Sequence, residues 1–174
     1  MKMPTEILRE EHRVILLALD TLEAAARRTT DGRPLDDGWW TGLIEWLRAF
    51  ADRSHHAKEE RSLFPAMEKA GVPREGGPIG VMLEEHARGR AIVQAMADAV
   101  PAGRPALARE FVRLLRQHID KENGVLFPMA DAVLDDPAQQ GLRREFAAVE
   151  AEQGPAAGSA HAESLLAGLA CALA

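Results

Sequence analysis

The chain has 174 residues, 47% of them hydrophobic and 28% charged, which suffices for one compact domain with a real core. Its formal charge is −6, and its basic residues are dispersed among acidic ones, which argues against a nucleic-acid partner. A charged start unlike a signal peptide, a single cysteine and no apolar run of about 20 residues favour a cytoplasmic protein without a membrane segment.

Two long helices are predicted in the first part of the chain. The first follows Thr5, a candidate N-cap, and carries apolar residues at three- and four-residue steps until residues 29–32. The second is predicted to begin near residues 36 or 37. Pro65 is expected to end or kink it, because the proline ring is incompatible with regular helix geometry.

Two further long helices are predicted after a glycine-rich turn. The third begins at Pro78, near its first helical position, and runs to Val100, and the fourth covers residues 106 to about 127. Four long helices with short connections are typical of an antiparallel bundle. We therefore expect an all-α fold in which residues 5–130 form an up-down four-helix bundle.

The remainder of the chain is predicted to add short helices to this bundle. They lie near residues 138–151 and 160–173, and the segment 154–159 between them is typical of a turn or brief linker. We expect this C-terminal extension, about residues 137–174, to belong to the same single domain, residues 1–174.

Two segments of the chain repeat one another. HHAKEERSLFP, which begins at His55, and HIDKENGVLFP, which begins at His118, are identical at six of eleven positions, and both contain His-x-x-x-Glu. Their alignment matches Glu59 with Glu122. Since residues four apart share a helix face, each His/Glu pair can reach a common point.

The same alignment separates these pairs from their neighbours. His56 falls on Ile119 and Glu60 on Asn123. Because adjacent residues of an α-helix diverge by about 100° around its axis, we expect His56 and Glu60 to lie in a surrounding layer or at the surface.

A second sequence similarity relates the first and third helices. LREEH ends at His12 and MLEEH ends at His86, and each histidine shares its face with apolar residues. Glu11 and Glu85 could orient neighbouring imidazoles, although solvated carboxylates are the expectation. The chain therefore approximates two copies of one module, and its four long helices would turn four histidines and two glutamates inward.

This combination predicts a metal site. The candidate ligands are His12, His55, Glu59, His86, His118 and Glu122. Taken singly, a histidine on an apolar helix face is most often a core residue. A His/Glu pair four residues apart is most often a solvent-exposed contact on one helix. Burying two unpaired carboxylates, however, costs several kcal/mol each, and a dication would remove that cost.

The ligand set favours two ions. Two facing His/Glu pairs suggest that each carboxylate bridges the ions, with an oxo or hydroxo bridge between them and an open position for a small ligand. Imidazole with carboxylate suits iron, zinc or manganese, and zinc prefers about four ligands. We expect two iron ions, with manganese or zinc as alternatives and a single zinc as the fallback.

These residues resemble the hemerythrin-like family, also called the HHE cation-binding domain. The motifs that carry the resemblance over about residues 5–130 are His12, His55 with Glu59, His86, and His118 with Glu122, with LFP after both pairs. The resemblance implies a four-helix bundle with a non-haem di-iron centre and those six side chains as ligands. Relatives bind oxygen, handle nitric oxide or peroxide, or sense and supply iron.

One position departs from the oxygen carriers of that family. They have a fifth histidine one turn after the counterpart of His86, where this chain has Arg90, and a protonated guanidinium cannot ligate iron. This argues against simple reversible oxygen carriage, while the roles of Arg90, His56 and Glu60 stay open.

The leading functional expectation is a carboxylate-bridged di-iron protein, with four histidine and two glutamate ligands, that binds dioxygen, nitric oxide or peroxide. Redox turnover or a stress-response role is open, and the sequence does not decide whether the protein is an enzyme. The alternatives are an iron-sensing or iron-supply module and a structural bundle with a single zinc. A monomer or a homodimer is expected.

Overall fold

The computed structural model describes residues 2–154 and 158–173 and contains no strand there, which confirms the all-α prediction. This part of the chain forms six helices. No helix within it has the length and apolarity needed to cross a membrane. The predicted turn at residues 154–159 includes residues 155–157, which lie outside the described residues.

Helix α1 covers Pro4–Thr30 and begins two residues earlier than predicted. Pro4 suits the first turn because its fixed φ is helical and its missing N–H needs no partner there, and Met3 is the N-cap. Thr5 is therefore not the cap, and that prediction is wrong. Its hydroxyl instead donates to Asp131 across 2.6 Å.

Helix α2 covers residues 37–69. It consists of α-helical segments Asp37–Trp46 and Phe64–Lys69 and π-helical segments Leu47–His56 and Glu59–Leu63. Its start is as predicted, because the Asp36 carboxylate accepts from the backbone N–H of Trp39 at 2.8 Å. Pro65 does not end it. The wider π-helical turn before Pro65 accommodates a residue that cannot donate a backbone hydrogen bond.

Helix α3 covers Pro78–Asp98, close to its predicted range. Helix α4 covers residues 104–133, six residues further than predicted at its C-terminal end. Its segments are Arg104–Lys121 in α-helical, Glu122–Leu126 in π-helical and Phe127–Val133 in α-helical conformation. Pro128, like Pro65, follows a π-helical segment and leaves the helix continuous.

The four long helices pack as an antiparallel bundle around two apolar clusters. Helix α4 packs along both α1 and α3. One cluster includes Leu19, Leu22, Trp40, Phe50, Met96 and Val112. The other, nearer the start of α1, includes Leu8, Phe64, Met82, Phe127 and Phe146. The layer between these clusters holds the polar residues that the repeats single out.

Two shorter helices cover the bundle, as predicted. Helix α5, Asp136–Gln153, packs against the π-helical segments of α2, and α6, Ser159–Cys171, packs against α1 and the start of α2. Two indole N–H groups of α2 attach α6: Trp46 donates to the carbonyl of Ala162 and Trp39 to that of Leu169, both across 2.9 Å.

Candidate metal centre

The structure brings all six predicted ligands together in the layer between the two apolar clusters. They are His12 on α1, His55 and Glu59 on α2, His86 on α3, and His118 and Glu122 on α4. Each is at most 1% exposed. Every helix of the bundle therefore contributes, and each His/Glu repeat places both of its members inward.

The ligating atoms form two groups. One comprises His12, His55, Glu59 and Glu122, and the other His56, Glu59, His86 and His118. Within each group, one nitrogen or oxygen of every residue lies within 4.8 Å of the others. Glu59 belongs to both groups. Glu122 also approaches the second, with Oε1 4.0 Å from His86 Nε2.

The Glu59 carboxylate lies between histidines of two different helices. Its Oε1 is 3.5 Å from Nε2 of His55, and its Oε2 is 3.5 Å from Nε2 of His86. Its two oxygens therefore face one group each, which is the arrangement that a bridging carboxylate requires.

The Glu122 carboxylate, on α4, also lies between histidines of two helices, but it approaches both of them with one oxygen. Its Oε2 lies 3.1 Å from Nε2 of His12 and 3.3 Å from Nε2 of His118. The centre thus consists of two carboxylates surrounded by inward-facing ring nitrogens.

Each of the four predicted histidines is held from outside the centre through Nδ1. The pairs are His12 with Asn123 at 3.0 Å, His55 with Glu11 at 2.8 Å, His86 with Glu60 at 2.7 Å and His118 with Glu85 at 3.0 Å. An Nδ1–H that donates outward leaves the lone pair on Nε2. All four imidazoles are therefore oriented as Nε2 ligands.

Glu11 and Glu85 are not the solvated carboxylates that we expected. Glu11 is 2% exposed, and the Glu85 side chain is 19% exposed. Lys58 donates to Glu11, and Lys121 donates to Glu85 in the equivalent place. Both lysines belong to the identical positions of the repeat, so the sequence held a signal for this pairing that we did not use.

Burial and neighbouring charges set the protonation of the inner groups. Burial raises the pKa of Glu59 well above its usual value, and the nearby Glu122 raises it further. Burial opposes the charge of Glu122 as well, but His118 and His12 bring the pKa of Glu122 well below its usual value. Burial lowers the pKa of His55 far enough to keep its ring neutral, the form that binds metals.

Several buried polar atoms of the centre have no hydrogen-bond partner among the described residues. They include both carboxylate oxygens of Glu59, both of Glu122 and Nε2 of His12. The close approach of His12 to Glu122 lacks hydrogen-bond alignment. Unpaired buried carboxylates cost several kcal/mol, which a cation would offset. Imidazole nitrogens with carboxylate oxygens suit first-row divalent metals, so these residues fit a pair of metal ions.

His56 does not lie at the surface, and that alternative is wrong. It is 6% exposed, its ring stacks on that of His86 at 3.8 Å, and it is a member of the second group. The prediction assumed that adjacent side chains diverge by the α-helical angle and that all ligands meet at a single point. The π-helical segment Leu47–His56 rotates less per residue, and a centre with two groups is wide enough to receive adjacent side chains.

Glu60 and Arg90 lie just outside this part of the centre. Glu60 accepts from His86 and, across 2.8 Å, from Arg90. The Arg90 Nε donates to Asp52 at 2.8 Å. The guanidinium is thus bonded to two carboxylates beside the histidines.

The bundle and its two-group His/Glu centre define a helical metal-binding domain, and the comparisons with known proteins identify its family. The sequence profile of the hemerythrin HHE cation binding domain matches residues 3–130. The chain belongs to the hemerythrin HHE cation-binding family. The resemblance that the motifs indicated is confirmed.

Named relatives extend the comparison. The chain is 30% identical to the iron-sulfur cluster repair protein YtfE of Dickeya chrysanthemi over 135 residues, 70% of this chain and 60% of the relative. It is 35% identical to the protein of that name in Salmonella paratyphi B over 104 residues, 51% of this chain and 47% of the relative. The chain therefore spans about half of their length. No solved structure matches significantly.

Proposed function

We propose that this protein is a cytoplasmic non-haem di-iron protein that binds dioxygen, nitric oxide or peroxide. The proposed iron ligands are His12, His55, Glu59, His86, His118 and Glu122. One observation carries the proposal: two fully buried carboxylates each lie between histidines of different helices, with both of their oxygens unpaired among the described residues. Manganese or zinc would be an alternative occupant of the same ligand set.

Each part of the chain has a distinct task in this proposal. Glu59 and Glu122 bridge the two groups, while the Nε2 atoms of the histidines complete them. The outer carboxylates hold the rings through Nδ1, and Lys58 and Lys121 offset the charge of Glu11 and Glu85. The ligands are thus preorganised before any metal arrives.

Bound iron would supply exchangeable coordination positions and a change of oxidation state. The apolar clusters on both sides of the centre exclude bulk water and restrict entry to small molecules. A cavity of about 340 Å³ adjoins the centre at His56, and its lining also includes Gly89, Arg90 and Phe111. This cavity is the proposed route for the ligand.

Anaerobic reconstitution of the full chain with a ferrous salt tests the proposal. We expect about two iron ions per chain and an optical spectrum that changes when dioxygen, nitric oxide or peroxide is added. His55→Ala should lose iron, whereas His161→Ala, at an exposed position of α6, should retain it. Fewer than about one iron per chain, or no spectral response to any of the three ligands, would contradict the proposal.

A second candidate function comes from the named relatives. Proteins called iron-sulfur cluster repair proteins match more than half of this chain, so supply of iron for cluster repair is the alternative that we propose. Iron release to a damaged cluster protein, measured by recovery of its cluster absorbance, would favour this function. Ligand binding without any such transfer would favour the first proposal.

A further inference from the structure

At three positions beside the centre, one half of the bundle has a polar residue where the other half has an apolar one. When the repeats are aligned, the residues of the other half that correspond to Asp52, His56 and Arg90 are, in that order, Leu115, Ile119 and Leu16. One half is thus polar where the other is apolar. Since both halves hold the same inner His/Glu pattern, the difference is confined to one side of the second group.

The His56 side chain has the orientation of a ligand. Its Nδ1 lies 3.5 Å from Oδ1 of Asp52, so Nε2 is the ring nitrogen on the inner side. The ring lies 3.8 Å from that of His86 and 5.9 Å from that of His118, measured between centroids. The second group also contains Glu59.

The outer arrangement of the inward-facing histidines supports this orientation. Four of them direct Nδ1 at Asn123, Glu11, Glu60 or Glu85. His56 also turns Nδ1 toward Asp52, at 3.5 Å and without a hydrogen bond, and Arg90 joins Asp52 to Glu60. A histidine that merely filled the core would need no carboxylate beside Nδ1, and Ile119 fills the equivalent space without one, since Leu115 is the equivalent of Asp52.

We propose that His56 is a fifth imidazole ligand, which completes the second group together with His86, His118 and Glu59. This rests on the proposed di-iron function. Arg90 and Asp52 are positioning residues: the guanidinium neutralises Asp52 and Glu60, and these carboxylates face Nδ1 of His56 and of His86. The metal pair is therefore asymmetric, with three imidazoles on one side and two on the other.

His56→Gln in the full chain tests this assignment, because glutamine preserves volume and polarity but is a poor metal ligand. We expect binding of one of the two ions to weaken by at least about 10-fold. The visible absorption of the cobalt-substituted protein should shift as one side loses a nitrogen donor. Ile119→Val, at the equivalent place of the other half, should change neither quantity.

Asp52→Asn provides a second variant that keeps the ring of His56. It should weaken binding of the same ion by about 10-fold, with helix content unchanged by circular dichroism. Retention of two ions with wild-type affinity and an unchanged cobalt spectrum in folded His56→Gln or in Asp52→Asn would overturn the assignment. A wild-type chain that binds less than about one iron would overturn the di-iron proposal itself, so the two failures are distinguishable.

Discussion

His55 donates from Nδ1 to the Glu11 carboxylate across 2.8 Å, and neither residue is more than 2% exposed. Glu11 immediately precedes His12 on α1, so one helix turn both contributes an inner imidazole and orients another from α2. His118 and Glu85 repeat this relationship in the other half at 3.0 Å. The hydrogen bonds that orient the ligands therefore cross between helices and couple the bundle to its centre.

Replacement of Glu11 tests how far this outer bond supports metal binding. Glu11→Gln keeps the shape of the side chain but removes the charge that strengthens the bond to His55. We expect metal affinity to fall by roughly 10- to 100-fold without loss of helix content. Glu10→Gln, in a surface pair with Lys2, is the matched control and should leave the affinity unchanged. Titration with ferrous or cobalt ions measures both.

Lys58 and Lys121 occupy equivalent positions of the repeat, yet only Lys58 is fully buried. Lys58 donates to Glu11 and to Glu150 of α5, whereas the Lys121 side chain is 41% exposed. Removing one partner of a buried ion pair costs about 3 to 5 kcal/mol, and an exposed pair contributes about 1 kcal/mol or less.

Lys58→Met should therefore lower the free energy of unfolding of the metal-free chain by about 3 kcal/mol. Lys121→Met, the control from the other half, should lower it by about 1 kcal/mol at most. Urea unfolding followed by circular dichroism gives both values. Equal losses in the two variants would show that burial by α5 does not set the strength of this pair.

The helices themselves could be predicted because their signals are local. Apolar spacing along α1 and the proline at the start of α3 act within a few residues. The π-helical segments could not be predicted, since their wider turns are stabilised by packing in the bundle. For that reason the sequence suggested an end or kink at Pro65 and too early an end for α4.

The candidate site, like the helices, was predictable only where its signal is local. His-x-x-x-Glu lies within one helix, so its spacing alone placed His55 and Glu59 together. The outer bonds join residues far apart in sequence, such as His12 and Asn123, and depend on how the helices pack. The position of His56 was predicted wrongly because the direction of its side chain was taken from ideal α-helix geometry. In the structure this segment of α2 is π-helical.

Trp46 attaches α6 to the bundle through its indole N–H and the carbonyl of Ala162. Trp46→Phe removes this bond, which contributes about 0.5 to 1.5 kcal/mol, and leaves a buried carbonyl without its donor. We expect faster hydrogen exchange in Ser159–Cys171, with metal content unchanged, because α6 is hydrogen-bonded to Trp39 and Trp46 rather than to a proposed ligand. Loss of metal in this variant would contradict the separation of α6 from the centre.

Metal removal should weaken the bundle measurably. A metal that binds only the folded chain stabilises it by about 2.7 kcal/mol when its free concentration is 100 times the dissociation constant. For a chain of this size that corresponds to a melting temperature about 5 to 10 °C higher. Calorimetry of the iron-loaded chain with and without a chelator measures the difference, and His55→Ala, which lacks a proposed ligand, should show none.

Glu59→Gln separates the two roles of this carboxylate, metal binding and packing. Glutamine has nearly the same volume and is neutral, so its burial between His55 and His86 costs less than burial of a charge. We expect the variant to lose metal while its metal-free form is at least as stable as metal-free wild type. The exposed Glu163→Gln should behave as wild type in both respects. If metal-free Glu59→Gln were instead less stable by more than about 1 kcal/mol, Glu59 would be retained for packing rather than for metal.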